Sequence, residues 1–202
     1  HAEAERGMPS PPSPPAPPAQ PPSQPTTVFD FSSNTSIGWT NGGGDPPYAF
    51  AHKTEGSTSS RGTGPLAGVG GSGSYFYAEA SFPRVPRDLF MLAYDGSVCS
   101  DIGKGVSTVA FHYHMYGANM GELRVTNAAG KAVWSLSGDQ GDAWQAASVG
   151  VYSASFAFEY RCGSGFRGDA AVAQVAVSCG AASPPPPPAP PLLPSPLSPP
   201  PS

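Results

Sequence analysis

Apolar and polar side chains alternate with a period of two through residues 27–182, and glycine-rich turns interrupt the alternation at short intervals. A period of two predicts β-strands, because successive side chains of a strand point to opposite faces. The ten predicted strands are 28–32, 48–53, 74–80, 88–94, 106–116, 121–127, 131–137, 144–151, 155–161 and 170–178. They favour an all-β jelly-roll sandwich of two antiparallel sheets, because a sandwich buries one face of every strand. No segment predicts a long helix.

Glycines mark the predicted connections between strands. The sequence TNAAGK is typical of a hairpin in which Gly130 takes a positive φ. Gly117 and Gly121 flank another turn, and a β-branched residue at Gly121 should destabilise the domain if its φ is positive. Trp134 and Trp144 are predicted to pack at adjacent ends of the sandwich.

Two histidines, His112 and His114, lie two residues apart in the longest predicted strand. They share its less apolar face with Cβ atoms roughly 6.6 Å apart, a separation from which two imidazoles can bind one metal ion. A zinc site needs a third ligand, and His52 is a candidate whose distance the sequence does not fix. We therefore favour a structural strand over a metal or acid-base site. The opposite, core-facing set is Val109, Phe111, Tyr113 and Met115.

Proline divides the chain into three parts. Of the 27 prolines, 22 lie in the N-terminal segment 1–26 and the C-terminal segment 183–202. These segments lack the apolar bulk to form a globule and are predicted to extend as polyproline II tails. Residues 27–182 are long enough to bury one core and are predicted to form a single domain.

Charge and motif content exclude several functions. Ten Lys and Arg are scattered singly among fourteen Asp and Glu, so no basic patch indicates nucleic-acid binding. No apolar run approaches the roughly 18 residues of a membrane span.

The sequence GVGGSG matches a dinucleotide-binding pattern, but it opens a strand and is predicted to be a turn. No serine lies in a nucleophile elbow, so the sequence does not indicate a serine hydrolase. Asn34 begins an N-glycosylation signal, NTS.

The proline-rich segments resemble those of hydroxyproline-rich glycoproteins of plant and green-algal walls, whose Ser-Pro and Pro-run motifs look like PSPPSPPAPP. The resemblance implies a secreted protein of the cell surface or wall. An intracellular SH3 ligand is the less favoured alternative, because these segments carry almost no Arg or Lys. The prolines implied to be hydroxylated or glycosylated are Pro11, Pro12, Pro14, Pro15, Pro17, Pro18, Pro184, Pro185, Pro186, Pro187 and Pro188.

The central segment resembles the MAM domain family, the extracellular module of meprins, neuropilins and some receptor tyrosine phosphatases. The motifs that carry the resemblance, in order, are GTGPLAGVGGSGSYFYAEAS, FHYHMYGANMGELRV, VWSLSGDQGDAWQAASVGV and FAFEYRCGSGFRGDAAVAQVAVSC. It implies a jelly roll that serves adhesion or oligomerisation and not catalysis. His114 falls on the motif's own histidine, which assigns it a structural role.

The cysteines depart from this family pattern. Ile37 and Thr108 stand where the family has cysteines, so the usual disulfides cannot form. By the resemblance, Cys99 precedes a strand that starts near Cys179, which favours a Cys99–Cys179 disulfide. Cys162 is then left over, either buried or available for an intermolecular bridge. We further expect the strands before and after Cys162 to form a hairpin.

Family members often bind calcium or sodium through carboxylates. Asp30 keeps one of these positions, and with Glu79 it could hold a cation weakly. Acids are missing at the other positions, which are Ala67, Ala173 and Gln174. We therefore expect no cofactor and favour an empty or solvent-filled site, with a weakly held Ca²⁺ or Na⁺ as the alternative.

These observations together predict an extracellular, non-enzymatic module for adhesion or assembly, which binds other surface or matrix glycoproteins or further copies of itself. The turn-rich segment 41–73 is the candidate contact surface. The alternative is a lectin-like, carbohydrate-binding jelly roll, in which exposed tyrosines stack on sugar rings. The candidate tyrosines are Tyr48, Tyr75 and Tyr77.

Overall fold

The computed structural model describes residues 24–33 and 37–183. The predictions made for Asn34 and for the eleven prolines named above fall outside these residues. Within them the chain forms eleven strands, one short α-helix and a 3₁₀ turn at Val69–Gly71, inside the GVGGSG sequence. The bounds are β1 Thr26–Phe29, β2 Trp39–Asn41, β3 Ala51–Lys53, β4 Tyr75–Ala78, β5 Leu89–Tyr94, α1 Ser97–Ser100, β6 Gly105–Met115, β7 Glu122–Asn127, β8 Ala132–Ser137, β9 Gln145–Ser153, β10 Phe156–Arg161 and β11 Ala170–Gly180.

The strands form two antiparallel sheets that face each other. Sheet A has the order β3-β4-β11-β6-β9, and β1 also pairs with β11, at residues 175–178 beyond the part of β11 that pairs with β4. Sheet B has the order β2-β5-β10-β7-β8. The predicted jelly-roll-like, two-sheet sandwich is confirmed. The three-residue strand β2 was missed, because it is too short to show an alternation.

The main core lies between the sheets and follows the predicted alternation. Val109, Phe111, Tyr113 and Met115 of β6 all point into it and are at most 9% exposed. The Phe111 ring contacts Phe158 of sheet B at 4.9 Å and Trp134 at 5.1 Å between ring centroids. Trp134 is therefore a core residue at the edge of the sandwich, where it also meets Tyr113.

A second, smaller apolar cluster covers the outer face of sheet A. It consists of Tyr75, Tyr77, Ala171 and Ala173, with Ala51, Val69 and Trp144 packed against them. The segment between β3 and β4, residues 54–74, lies against this face: Trp144 Nε1 donates to the Ala67 carbonyl and Tyr75 OH donates to the Gly56 carbonyl. Trp144 thus packs outside the sandwich and not at its end as predicted. Sheet A is therefore covered on both faces around β4, which is why all four residues of β4 are buried.

The connections between strands define two ends of the sandwich. Connections 79–88, 116–121, 138–144 and 162–169 lie at one end, which we call the loop end. Connections 95–104, 128–131 and 154–155 lie at the other, which we call the base. The hairpin 128–131 confirms the turn predicted from TNAAGK, with φ of 72° at Gly130.

Both ends of the described chain lie at the base. Thr26 pairs with Ser178, and the Cys179 amide donates to the Pro25 carbonyl at 2.9 Å. The two proline-rich segments therefore join the domain side by side, although they flank it in sequence. The expected hairpin around Cys162 is wrong, because β10 lies in sheet B and β11 in sheet A.

Candidate functional site

Two of the four connections at the loop end, 116–121 and 162–169, pack closely against each other. A Cβ on Gly121 would lie 1.8 Å from the Arg161 carbonyl oxygen, and one on Gly163 would lie 2.0 Å from the Asn119 carbonyl oxygen. The backbones thus touch where only glycine fits. Gly121 does not have a positive φ, so its importance rests on close approach and not on the turn geometry considered from the sequence.

Buried polar groups tie these connections together. The Tyr160 hydroxyl accepts from the Gly121 amide and donates to the Gly168 carbonyl. Asp169 is fully buried, and its Oδ1 accepts from the Ala80 amide at 3.0 Å. Burial, reinforced by the nearby Glu79 carboxylate, raises the pKa of Asp169 to about 7. Asp169 was missed in the sequence, although an acid directly before an apolar strand was a usable signal.

Exposed apolar side chains lie on the same end. Phe82 is 94% exposed, Val85 57% and Phe166 52%. The Arg84 guanidinium lies 3.5 Å above the Tyr48 ring centroid, and the Arg167 guanidinium lies 5.5 Å from the Phe166 ring. No sequence signal points to this surface, since isolated apolar residues in loops are common.

The histidines occupy structural positions. His114 is 2% exposed, its Nε2 lies 3.3 Å from Asp142 Oδ1, and its ring contacts Trp144. Burial lowers the pKa of His114, and the Asp142 carboxylate opposes that shift only in part. His112 is half-buried with no partner on Nδ1, while His52 Nε2 bonds the Phe31 carbonyl. Across residues 24–33 and 37–183, no three His, Cys, Asp or Glu side chains are grouped to hold a metal ion.

Two of the tyrosines proposed for sugar stacking are not accessible. Tyr75 is fully buried and Tyr77 is 4% exposed, and both are covered by residues 54–74. Tyr48 is half-buried beneath Arg84. The prediction that these tyrosines are exposed is wrong, because the sequence does not show that a loop covers the outer face of sheet A.

A polar cleft runs beside that covering segment. Its volume is about 270 Å³, and a smaller cavity of about 240 Å³, which shares Leu66 and Asp142 with it, extends towards His114 and Trp144. The polar and aromatic residues that line the cleft include Ser57, Ser59, Ser60, Arg61, Tyr116 and Asp142.

The two carboxylates predicted to hold a cation are engaged locally. Asp30 Oδ1 accepts from the Ser32 amide, which holds the pKa of Asp30 below its ordinary value. Glu79 accepts from the Tyr77 hydroxyl and the Ser81 amide, both at 3.2 Å. Each carboxylate therefore has an oxygen committed to a protein donor.

The base contains the disulfide. Cys99 of α1 is bonded to Cys179 of β11, the pairing that the family resemblance implied. Cys162 is a free thiol at the loop end, 7% exposed, and burial raises its pKa to about 12. Beside the disulfide is a hollow of about 800 Å³, whose walls include both chain exits, Pro25 and Ala182.

Comparison with known proteins finds a matching family model and similar sequences for the sandwich. The family model described as MAM domain, meprin/A5/mu matches residues 28–180. MAM domain-containing glycosylphosphatidylinositol anchor protein 1 of Gallus gallus is 37% identical over 129 residues, which are 58% of this chain and 13% of that protein. The corresponding protein 2 of Homo sapiens is 34% identical over 134 residues, 58% of this chain and 14% of that protein. The chain thus matches about one seventh of the length of these relatives.

Two solved structures share the fold at low sequence identity. The K1 cleaved adhesin domain of Lys-gingipain from Porphyromonas gingivalis W83 has a TM-score of 0.51 and 12% identity, covering 77% of this chain and 99% of that one. CBM27-1 of Caldicellulosiruptor saccharolyticus, solved in complex with mannohexaose, has a TM-score of 0.51 and 15% identity, covering 77% and 98%. Over the part of this chain that the structure describes, no helix has the length and apolar character to cross a bilayer.

Proposed function

The chain belongs to the MAM domain family, and from that premise we propose that it is a non-enzymatic adhesion and assembly module of an extracellular glycoprotein. MAM domains are extracellular modules of the adhesion type. The observation that carries the proposal is the family match over residues 28–180, which spans nearly the whole sandwich. The relatives are named for a glycosylphosphatidylinositol anchor, which supports a location at the cell surface for this chain as well.

The side chains that could do chemistry support a role without catalysis. His52 is bonded to a backbone carbonyl, and His114 is buried against Asp142 and Trp144. Cys162 keeps its proton at neutral pH, because its pKa is raised to about 12, and a protonated thiol is a poor nucleophile. His114 and Cys162 are in addition only 2% and 7% exposed, which keeps a substrate away from both side chains.

The finer proposal is a hydroxyproline-rich glycoprotein of the cell surface or wall. The proline-rich segments support it by composition, and both join the domain at the base. The loop end is the end of the sandwich opposite these exits, which supports it as the surface that another molecule contacts. We propose that its partners are other surface or matrix glycoproteins and further copies of this chain.

The proposal has a direct test in two measurements. Hydrolysates of the native protein should contain hydroxyproline, and beads coated with the full chain should aggregate with one another or with beads coated with matrix glycoproteins. Beads coated with heat-unfolded chain are the control. Absence of hydroxyproline would remove the wall glycoprotein context, whereas beads that stay dispersed with every partner would remove the adhesion role.

Glycan binding is a second candidate, and the polar cleft favours it. Serine hydroxyls, the Arg61 guanidinium, the Asp142 carboxylate and the Tyr116 ring are the donors, acceptors and apolar surface that sugars need. The test is a glycan array probed with the full chain and with Asp142→Asn. Glycan binding that the substitution weakens would support this function, and an array without signal would exclude it.

A weak Ca²⁺ or Na⁺ site at Asp30 and Glu79 remains a proposal. A hard cation takes six or more oxygens, and these two carboxylates already accept hydrogen bonds from protein donors. We expect addition of Ca²⁺ in the millimolar range to raise Tm slightly if the site binds. The double substitution Asp30→Asn with Glu79→Gln, which removes both negative charges, should abolish that rise.

A further inference from the structure

Two exposed aromatic residues at the loop end have no folding role. Phe82 is 94% exposed and Phe166 52%, and they are the largely exposed aromatic side chains of the described residues. Val85, 57% exposed, lies in the same connection as Phe82. An exposed phenylalanine gains almost nothing from the hydrophobic effect, and exposed apolar side chains on two connections that hydrogen-bond each other are typical of a binding surface. We call the set Phe82, Val85 and Phe166 the aromatic patch.

The patch is held on a rigid frame. The Arg87 amide donates to the Cys162 carbonyl at 3.0 Å and the Cys162 amide donates to the Asp88 carbonyl at 2.9 Å, which ties connection 79–88 to connection 162–169. Arg87 also has a φ of 77°, in the left-handed region. Such a conformation costs free energy in a non-glycine residue and persists only where surrounding contacts enforce it. A surface that is already ordered loses little entropy when it binds.

Three arginines belong to the same two connections as the patch. Arg84 stacks on Tyr48, Arg87 is exposed, and Arg167 lies beside Phe166. A guanidinium offers five donors and no acceptor. The surface thus combines flat apolar rings with hydrogen-bond donors, and the ligand that fits it is apolar and rich in acceptors.

A proline-rich chain has this complementary chemistry. Proline has no amide donor, and in polyproline II its carbonyls are free to accept. Aromatic-lined surfaces bind such chains because the ligand is preformed and loses little entropy. This protein carries twelve of its prolines within residues 183–202, a segment without a single charged residue. Its recognition therefore depends on carbonyl acceptors and ring contacts and needs no acidic partner.

Geometry selects a second copy as the donor of this segment. The segment joins the domain at the base, and β6, eleven residues long, separates base from loop end by roughly 36 Å. Nineteen residues of polyproline II extend about 59 Å, enough to cross from one domain to the loop end of another. Binding to its own loop end would require a stiff chain to reverse direction at the base.

We infer that the aromatic patch binds the proline-rich segment 184–202 of a second copy of this chain, and that this contact assembles the protein into chains of molecules. The inference rests on the proposed assembly function and names its partner and its surface.

The test uses a fluorescent peptide of residues 184–202 titrated into the full-length chain, with fluorescence anisotropy as the readout. We expect saturable binding that Phe82→Ala weakens at least about tenfold, the loss typical of a buried aromatic anchor, and that Phe166→Ala also weakens. Ile102→Ala is the matched control, because Ile102 is 50% exposed at the base and its substitution should leave binding unchanged. A peptide with its prolines replaced by alanine should not bind. Equal Tm values for all variants exclude misfolding.

Mass measurements across a concentration series separate this inference from the proposed function. If wild type associates and the peptide both binds and disperses the assemblies, the inference is supported. If wild type associates but the peptide does not bind, or binds Phe82→Ala equally, the inference is overturned while assembly through another surface stands. Loss of self-association in Phe82→Ala without peptide binding would assign the patch to a domain-to-domain contact and also overturn it. If wild type neither associates nor aggregates beads, the proposed function fails as well.

Discussion

The two ends of the sandwich are stabilised by different means. At the base, the Cys99–Cys179 disulfide joins α1 to the end of β11, and β1 pairs with β11 beside it. At the loop end, no disulfide joins the described residues, and the connections are held by backbone contacts at Gly121 and Gly163 and by hydrogen bonds of buried groups. A covalent bond fixes the end that carries the chain exits, whereas close packing fixes the end that is free to bind.

The two ends also differ in surface chemistry. Phe82 and Phe166, the largely exposed aromatic side chains of the described residues, lie at the loop end. A disulfide crosslinks the base, whereas the cysteine at the loop end, Cys162, is buried as a free thiol. The predictions below test whether the loop end depends on packing and the base on its crosslink.

The largest expected effect is at the loop end. Gly121→Ala should destabilise the domain by more than about 5 kcal/mol, which is exceptional for one substitution, because the new Cβ would lie 1.8 Å from the Arg161 carbonyl oxygen. Chemical denaturation measures the change. Gly43→Ala is the control, because a Cβ on Gly43 would meet no heavy atom within 4 Å and the substitution should be near neutral. A well-tolerated Gly121→Ala would contradict the close contact.

At the base, Cys99→Ala with Cys179→Ala should cost about 4.5 kcal/mol by the chain-entropy estimate for a loop of this length, since 80 residues separate the two cysteines. The measurement is urea unfolding of the double variant and of wild type, with and without reductant. The double variant should be insensitive to reductant, and wild type in reductant should match it. A loss of stability below about 1 kcal/mol would show that β-pairing alone holds the base.

The third expected effect is the contribution of Asp169 to the pH dependence of the free energy of unfolding. Its pKa in the folded protein, about 7, lies above the ordinary value, so between about pH 4 and pH 7 the unfolded chain loses a proton that the folded protein keeps. This term lowers the stability of the fold as pH rises through that range, by an amount on the order of a few kcal/mol. Asp169→Asn removes it.

Thermal unfolding at intervals from pH 4.5 to pH 8 tests the Asp169 term. The Tm of Asp169→Asn minus that of wild type should increase as pH rises and level off above about pH 7. Taking the difference cancels the contribution of His114, whose lowered pKa reduces stability as pH falls below about 6.5 in both proteins. A difference that stays constant with pH would show that Asp169 is ionised in its buried site.

The smallest effect concerns Cys162. With its pKa raised to about 12, the thiol should react with a maleimide or disulfide reagent at pH 7.5 only after unfolding, and Cys162→Ala should leave the mass distribution unchanged. Quantification of labelled thiol with and without urea is the measurement. Rapid labelling of the folded protein, or a covalent dimer that Cys162→Ala removes, would assign Cys162 to an intermolecular bridge.

The period of two in the sequence determined the strands and the main core. Val109, Phe111, Tyr113 and Met115 were placed correctly, because the side chains of a strand alternate whatever the surroundings. Gly130 likewise marked its hairpin from local turn geometry alone. The proline-rich composition at both ends also predicts that the domain spans residues 27–182. This division of the chain stays a prediction.

Only the tertiary structure decided what lies opposite each face and which loops meet. Tyr75 and Tyr77 were expected at the surface, but residues 54–74 cover them, and this contact joins residues that no local pattern connects. The aromatic patch and the shared exit of both proline-rich segments at the base arise in the same way, from the order of strands in the two sheets. Alternation is a property of neighbouring residues and is written in the sequence, whereas the pairing of distant segments is selected by the packing of the whole domain.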